Sequence, residues 1–319
     1  MTKQHLRAKG KTAPGTHIPV LLNEVLRCLN PRPGDVVVDC TLGFGGHAKE
    51  MIKRIAPDGV FIGLDADGLE LEKAKRRITR PDVWSHFVNR NFADLPDILK
   101  EYAPDGCDII LADIGVSSMQ VDDASRGISY KADGPLDMRM NRNSAKTGID
   151  VINSISEGEL SKALWELSDE PDHKIIAKMI VGQRTVEPIT TTGQLIRVVF
   201  NAKGLTERTW KKRQKQLGFG SAHPAARTFQ TLRILVNDEI GSLIKLLVAA
   251  PKCLKPAGRI GVISFHSTED RLVKESFQTG YKEGTYTAAS PKPIVPRTKE
   301  IVSNPRSSSA KFRYAVKAG

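Results

Sequence analysis

An apolar run, Val36-Val37-Val38, ends in an acid and leads straight into glycines: Asp39-Cys-Thr-Leu-Gly43-Phe-Gly45-Gly46-His47. A helix-like segment from Ala48 to Ile55 follows. Strand, glycine turn and helix in that order make the opening unit of a parallel sheet, since parallel strands need a crossover between them. A second apolar run, Val60 to Leu64, ends in Asp65. Glycines let backbone N–H groups close on a ligand at a helix N-terminus, and an acid after the second strand suits ribose hydroxyls. The two features together point to an adenosine-type cofactor. Gly43, Gly45 and Ala48 also fit the G-x-G-x-x-G/A spacing of dinucleotide binding. Asp39 is a poor neighbour for a pyrophosphate. It suits a ligand carrying an ammonium and a sulfonium, so S-adenosyl-L-methionine is preferred to NAD.

The same rhythm continues. The pattern predicts a helix over Pro19 to Leu29, another over Leu69 to Ile78, a short strand His86 to Val88 leading to Asn91-Phe92, a helix Leu95 to Tyr102 and a buried strand Cys107 to Asp113. Strands alternating with helices imply a Rossmann-like α/β sheet. Residues 120–221 break the rhythm: they lack comparable apolar runs and show helical spacing near 157–167, 172–184 and 191–201. They read as a helical domain inserted into a discontinuous sheet domain, 1–119 and 222–319. A single long helix is expected over Ala226 to Leu254, stopped by Pro256-Ala-Gly258 before a strand from Arg259 to Phe265. A helix over Thr268 to Phe277 follows. Residues 284–309 are rich in Pro, Ser, Thr and Lys and read as loop, and Lys311 to Val316 alternates as a final strand.

Cys28, Cys40, Cys107 and Cys253 show no C-x-x-C spacing, and each lies in or beside an apolar stretch. They read as reduced and buried, which suits a cytoplasmic protein. No apolar run approaches membrane-spanning length, and Met1 to His17 is basic without an apolar core, so it reads as a flexible arm. The net charge of +12 is unevenly placed. Residues 1–17, 203–215 and 292–317 together hold seventeen Lys or Arg against two Glu, which leaves the rest slightly acidic. Lys211, Lys212 and Arg213 lie in the second of these segments. Basic segments around a nearly neutral body suit a polyanion such as RNA.

In a doubly wound sheet, ligands sit beyond the C-terminal strand ends. Asp39, Asp65, Asp113 and Ser264-Phe-His266-Ser267 all fall there. Enzymes that methylate exocyclic amines of bases often begin an Asp/Asn/Ser-Pro-Pro-aromatic motif at the end of the fourth strand. Here the run is Asp113-Ile-Gly-Val-Ser-Ser118, with the acid but without the prolines or aromatic. Asp133-Gly-Pro-Leu-Asp137-Met-Arg139-Met and His223-Pro-Ala-Ala-Arg227-Thr-Phe-Gln are further polar clusters. No histidine or cysteine pair has zinc-ligand spacing, so no metal is expected.

Taken together, Asp39-x-Thr-x-Gly-x-Gly-Gly-His47, Asp113-x-Gly-Val-Ser-Ser-x-Gln120, Asp122-Asp, Arg126-Gly, Asp133-Gly-Pro-Leu-Asp-Met-Arg-Met140, His223-Pro-Ala-x-Arg-Thr-Phe-Gln230, Ser264-Phe-His-Ser-x-Glu-Asp-Arg271 and Asn304-Pro-Arg-x-Ser resemble the RsmH (MraW) family. Its members are S-adenosylmethionine-dependent cytosine-N4 methyltransferases of bacterial small-subunit (16S) ribosomal RNA. The resemblance runs from about His17 to Val316. It implies a class I methyltransferase sheet with an inserted helical domain. Gly45, Gly46, His47, Asp65, Phe92, Asp113 and Gln120 are then the cofactor residues. The chain departs from the family at Asp169-Glu-Pro-Asp-His173, where a Gly-Glu-Glu pattern is usual. The stretch Thr206 to Gly220 is also longer and more basic than in many members.

The chemistry implied is methyl transfer to a poorly nucleophilic amino group. Asp113 is the first candidate to accept its hydrogen bonds, Asp137 the second, and His266 a third candidate for the proton. Arg139 and Arg227 are candidates for flanking phosphates. The expected partner is small-subunit ribosomal RNA or the assembled subunit, with the chain as monomer or homodimer. The alternative is an RNA-binding ribosome-assembly factor with a vestigial cofactor pocket.

Overall fold

The computed structural model describes residues 18–217 and 223–319. The basic stretch 1–17 lies outside them. The chain divides into two units, one reaching Gly115 and resuming at Ser242, the other running from Val116 to Gly241.

The first unit is a sheet of seven strands: β1 (Val36–Asp39), β2 (Val60–Leu64), β3 (Trp84–Val88), β4 (Cys107–Asp113), β5 (Leu254–Ser264), β6 (Tyr286–Ala289) and β7 (Lys311–Lys317). Their order is β3-β2-β1-β4-β5-β7-β6. The first five run parallel, and β7 is antiparallel to both its neighbours. Parallel strands are covered on both faces, which is why they are nearly continuous apolar runs. Val38, Ile62, Ile110 and Val262 pack on one face under helices Leu95–Tyr102, Glu239–Cys253 and Ser267–Lys282. Val37, Phe61, Ile109 and Ile263 pack on the other, against Met51, Ile52 and Ile55 of Gly46–Ile55 and Leu71, Ala74 and Ile78 of Gly68–Ile78. Each fully buried Val, Ile or Leu stabilises by about 1.5–3 kcal/mol. The strand order reverses between β1 and β4, so their C-terminal ends, Asp39 and Asp113, flank the crevice where such sheets bind ligands.

Three expectations are corrected. The long helix over 226–254 is two helices, Ala226–Asn237 and Glu239–Cys253. Asp238 between them is left-handed, with φ 48°. A bidentate Arg233–Glu239 pair fixes the join. Pro256-Ala-Gly258 is not a helix stop before the strand: β5 already begins at Leu254, and its register against β4 shifts between Cys107 and Ile109 to absorb the extra residues. Residues 284–309 are not simply loop. They contain β6, the helix Thr298–Ser303 and a 3-10 turn Pro305–Ser309. Two long-range bonds hold the segment: Glu300 accepts from the N–H of Leu21, and Asn304 donates to the carbonyl of Ile18.

The second unit is mainly helical: Ser118–Asp122, Gly148–Ser154, Glu157–Ser168, His173–Val186, Thr192–Ala202, Glu207–Leu217 and Ala226–Asn237. Thr147, Ser156 and Thr191 cap their helices in reciprocal pairs with Asp150, Glu159 and Gln194. Leu136, Met138, Ile152, Leu164, Ile180 and Val199 form its core. The unit extends past the expected 120–221, because Ala226–Asn237 buries Phe229 and Leu232 in that same core.

Candidate active site

The chain turns out of β1 through Asp39 and tightens over the glycine loop. Gly43 and Gly45 are left-handed, at φ 48° and 81°. A Cβ on Gly45 would meet Ile78 Cγ2 at 3.1 Å, and one on Gly46 would meet Pro19 at 3.1 Å. The N–H of Gly45 donates to the Leu42 carbonyl at 2.7 Å. The guanidinium of Arg77 lies 3.7 Å from the centre of the Phe44 ring. The loop is therefore held from both sides. Beyond it the helix Gly46–Ile55 begins, and its first N–H groups have no partner within the helix.

Three carboxylates and a histidine stand around this loop. Asp39 is 2% exposed, and its Oδ1 accepts from the N–H of Thr41. Burial pushes its carboxyl up to about 7, against the lowering effect of His47. Asp65 accepts from the N–H of Asp67 through Oδ1 and of Gly43 through Oδ2. Burial raises its carboxyl to about 6 despite those bonds. The main-chain N–H of Asp113 donates to the Thr41 hydroxyl at 2.7 Å. Among the described residues, Asp113 Oδ1 is buried without a hydrogen-bond partner. Its Oδ2 lies 3.6 Å from His47 Nε2, and both ring nitrogens of His47 are likewise buried and unbonded.

Buried polar atoms are normally paired, so the unbonded atoms of Asp113 and His47 can receive groups the chain does not itself supply. Buried carboxylates fit a cation and hydroxyl donors, and they repel a pyrophosphate. The donor set therefore suits S-adenosylmethionine. Among the described residues no three His, Cys, Asp or Glu side chains gather to hold a metal ion.

The other expected residues have partners of their own. Phe92 opens a 3-10 turn after β3, and packs partly buried against the core. His266 caps the helix Ser267–Lys282: its Nδ1 accepts from the N–H of Glu269, while its Nε2, 2.8 Å from Glu269 Oε1, is buried without a hydrogen-bond partner among the described residues. In the helical unit, Gln120 Oε1 accepts from the N–H of Ser117 in a capping box. Asp137 and Arg139 form a bidentate pair, both bonds 2.8 Å, and Arg139 also donates to the Ser144 carbonyl at 2.6 Å. Partial burial raises the Asp137 carboxyl, but the hydrogen bonds and charge of Arg139 outweigh it and hold the group below its ordinary value. Arg227 donates to the Asp169 carbonyl. Lys211 and Lys212 are exposed on the helix Glu207–Leu217, where Arg213 also falls; the Arg213 side chain lies outside the described residues.

Two positioning residues carry no role in the sequence reading. Thr41 fixes the backbone of Asp113, and Asn89 donates to the Asp65 carbonyl at 2.8 Å. Thr41 stands inside the Asp39-x-Thr motif, which is a usable signal. Asn89 becomes visible only when β3 is laid beside β2.

The MraW methylase family is matched over residues 15–318. The Ribosomal RNA small subunit methyltransferase H of Clostridioides difficile (strain 630) is 40% identical over 316 residues, covering 94% of this chain and 98% of that one. Its counterpart of the same name in Geotalea uraniireducens (strain Rf4) is 42% identical over 317 residues, with the same coverage. That of Heliobacterium mobile is also 42% identical over 317 residues. A Rossmann-like sheet, a glycine loop ringed by carboxylates, and a match across nearly the whole length agree: this chain belongs to the MraW methylase family.

Proposed function

We propose that the chain transfers the methyl group of S-adenosyl-L-methionine to the exocyclic N4 of a cytidine in small-subunit (16S) ribosomal RNA, free or within the assembled subunit. The observation that carries this reading is the family match over residues 15–318. The sheet unit is the cofactor-binding and catalytic part. The helical unit recognises RNA.

The bound cofactor supplies an electrophilic methyl on a sulfonium. Asp65, braced by Gly43 and Asn89, would hold the ribose hydroxyls. Asp39, His47 and the helix N-terminus at Gly46 would hold the charged amino-acid end. Phe92 would border the adenine.

The N4 lone pair is delocalised into the cytosine ring, so the site must favour a pyramidal nitrogen and fix its line of approach. Asp113 does this by accepting a hydrogen bond from the amino group at Oδ1, the atom left without a partner. Thr41 keeps its main chain in place. The proton lost from nitrogen passes to the same carboxylate, with His47 3.6 Å from the other oxygen. Asp137 is a weaker acceptor, because Arg139 engages both its oxygens. His266 is engaged as a helix cap.

The test is transfer of radiolabelled methyl to free ribosomal RNA and to small subunits, with nucleoside analysis of the product. Label in N4-methylcytidine is expected. Label in another nucleoside, or none despite cofactor binding, overturns the reading.

A further inference from the structure

The helix Glu207–Leu217 carries five Lys or Arg and one acid. At 100° per residue, positions 208, 211, 212 and 215 share one face, and position 210 falls on the opposite side. Arg208, Lys211 and Lys212 are exposed. Lys211 pairs with Glu207 at 3.5 Å between two exposed side chains, a contact water screens almost completely. Trp210, on the opposite side, is partly buried and meets His223 edge-on at 6.2 Å between ring centres. His223 in turn stacks on Tyr130 at 4.5 Å with the planes 9° apart, and touches the buried Phe200 at 5.4 Å. Tyr130 meets Phe229 of the helical core edge-to-face.

A helix this polar has little apolar surface with which to hold itself to the unit. Trp210 supplies that attachment, and what it fixes in place is a row of cations. We propose that Trp210, seated on the Tyr130–His223–Phe200 nest, positions Arg208, Lys211 and Lys212 as a rigid strip that binds RNA phosphates away from the reacting nucleotide. The strip spans about one helical turn, about 6 Å from position 208 to 212, enough to meet two consecutive phosphates. Sequence-independent phosphate contacts of this kind set orientation on the RNA and make affinity salt-dependent. The inference rests on RNA being the substrate.

The experiment is fluorescence anisotropy of the full-length chain with labelled small-subunit ribosomal RNA across a sodium chloride series. Cofactor affinity is measured by calorimetry on the same samples. K211Q/K212Q should lower the salt slope by about 1.4 and weaken binding roughly tenfold at low salt, since each lost contact to a single strand removes about 0.7. Trp210→Ala keeps every charge, yet should weaken RNA binding comparably because the helix loses its seat. Trp210→Phe should restore most of it, and cofactor affinity should stay constant throughout.

An unchanged slope in K211Q/K212Q overturns the phosphate strip. Unchanged RNA affinity in Trp210→Ala, or no recovery in Trp210→Phe, overturns the anchoring role. If the wild-type chain itself fails to bind the RNA, it is the substrate reading that fails.

Discussion

Asp39 at the end of β1 and Asp137 in the helical unit are both short acids beside glycine-containing turns, and their environments are opposite. Asp39 is almost fully buried, and that burial pushes its carboxyl up to about 7. Asp137 is a quarter exposed and held below its ordinary value, because Arg139 outweighs the effect of burial. One acid is kept short of partners, and the other is supplied with a cation two residues along the chain. Asp113 belongs with the first kind: among the described residues its Oδ1 has no hydrogen bond, and neither do the ring nitrogens of its neighbour His47. A buried acid short of partners can be completed from outside, so the contrast fits the proposed assignment of Asp113 to the reaction and of Asp137 to a weaker part.

The contrast can be broken most directly at Asp113. Asp113→Ala should lower turnover by roughly 10²–10⁴-fold, the usual loss on removing a positioned acid or base. RNA binding should stay close to that of the wild type. Retained turnover in a methyl-transfer assay would remove Asp113 from the mechanism.

Gly45→Ala should come next. It forces a side chain into a left-handed position and brings a Cβ to 3.1 Å from Ile78. At about 1–3 kcal/mol for such strain, cofactor affinity should fall roughly ten- to a hundredfold by calorimetry, with the sheet unit still folded.

The pH dependence sharpens the comparison further. Asp39 and Asp65 have raised carboxyls in the fold, at about 7 and about 6. Their protonated forms favour the folded state, a contribution fully present below the ordinary carboxylate value near 3.8 and lost as pH rises through 6 to 7. Asp137 works the other way: its contribution is present above its ordinary value and is lost as pH falls through its lowered one. Cofactor binding should oppose the first trend, because a cationic ligand needs Asp39 ionised. Affinity for S-adenosylmethionine should drop on acidification from pH 7 to 6, by up to about tenfold per unit for each group that must ionise. 5′-Methylthioadenosine, without the amino-acid end and its ammonium, should drop less. Equal pH profiles for the two ligands would deny Asp39 its part.

The smallest effect is expected at His266. His266→Ala removes a helix cap and should cost about 1 kcal/mol of stability in thermal unfolding, with kcat little changed. A collapse of kcat would return His266 to the chemistry.

These contrasts also mark what residue patterns can reveal. The strand ends Asp39, Asp65 and Asp113 were legible because buried parallel strands are continuous apolar runs, and the first polar residue after each is conspicuous. The helices near 157–167, 172–184 and 191–201 were legible from apolar periodicity, and they fall within two residues of the observed ends. The break at Asp238 was not, because apolar spacing continues across a one-residue left-handed turn. Strand β6 was hidden by composition: an edge strand bonded on one side needs little apolar sequence. The partners of Asp137 and His266 were hidden for another reason. Residue type marks a group that could react, while the hydrogen bonds it makes are set by local geometry.

The interruption of the sheet has a consequence for how the chain comes to be folded. Strand β4 ends just before the helical unit, and its neighbour β5 begins only after it; the Asp108–Lys255 ion pair joins residues 147 positions apart. During synthesis β1 to β4 leave the ribosome first, with one edge of the sheet exposed until the whole insertion has emerged. If the helical unit condenses by itself, it shortens the loop that must be closed and lowers the entropy of bringing β5 to β4. The insertion thus sets the timing of folding: the crevice between Asp39 and Asp113 acquires its finished shape only when the last quarter of the polypeptide, from Ser242 on, arrives.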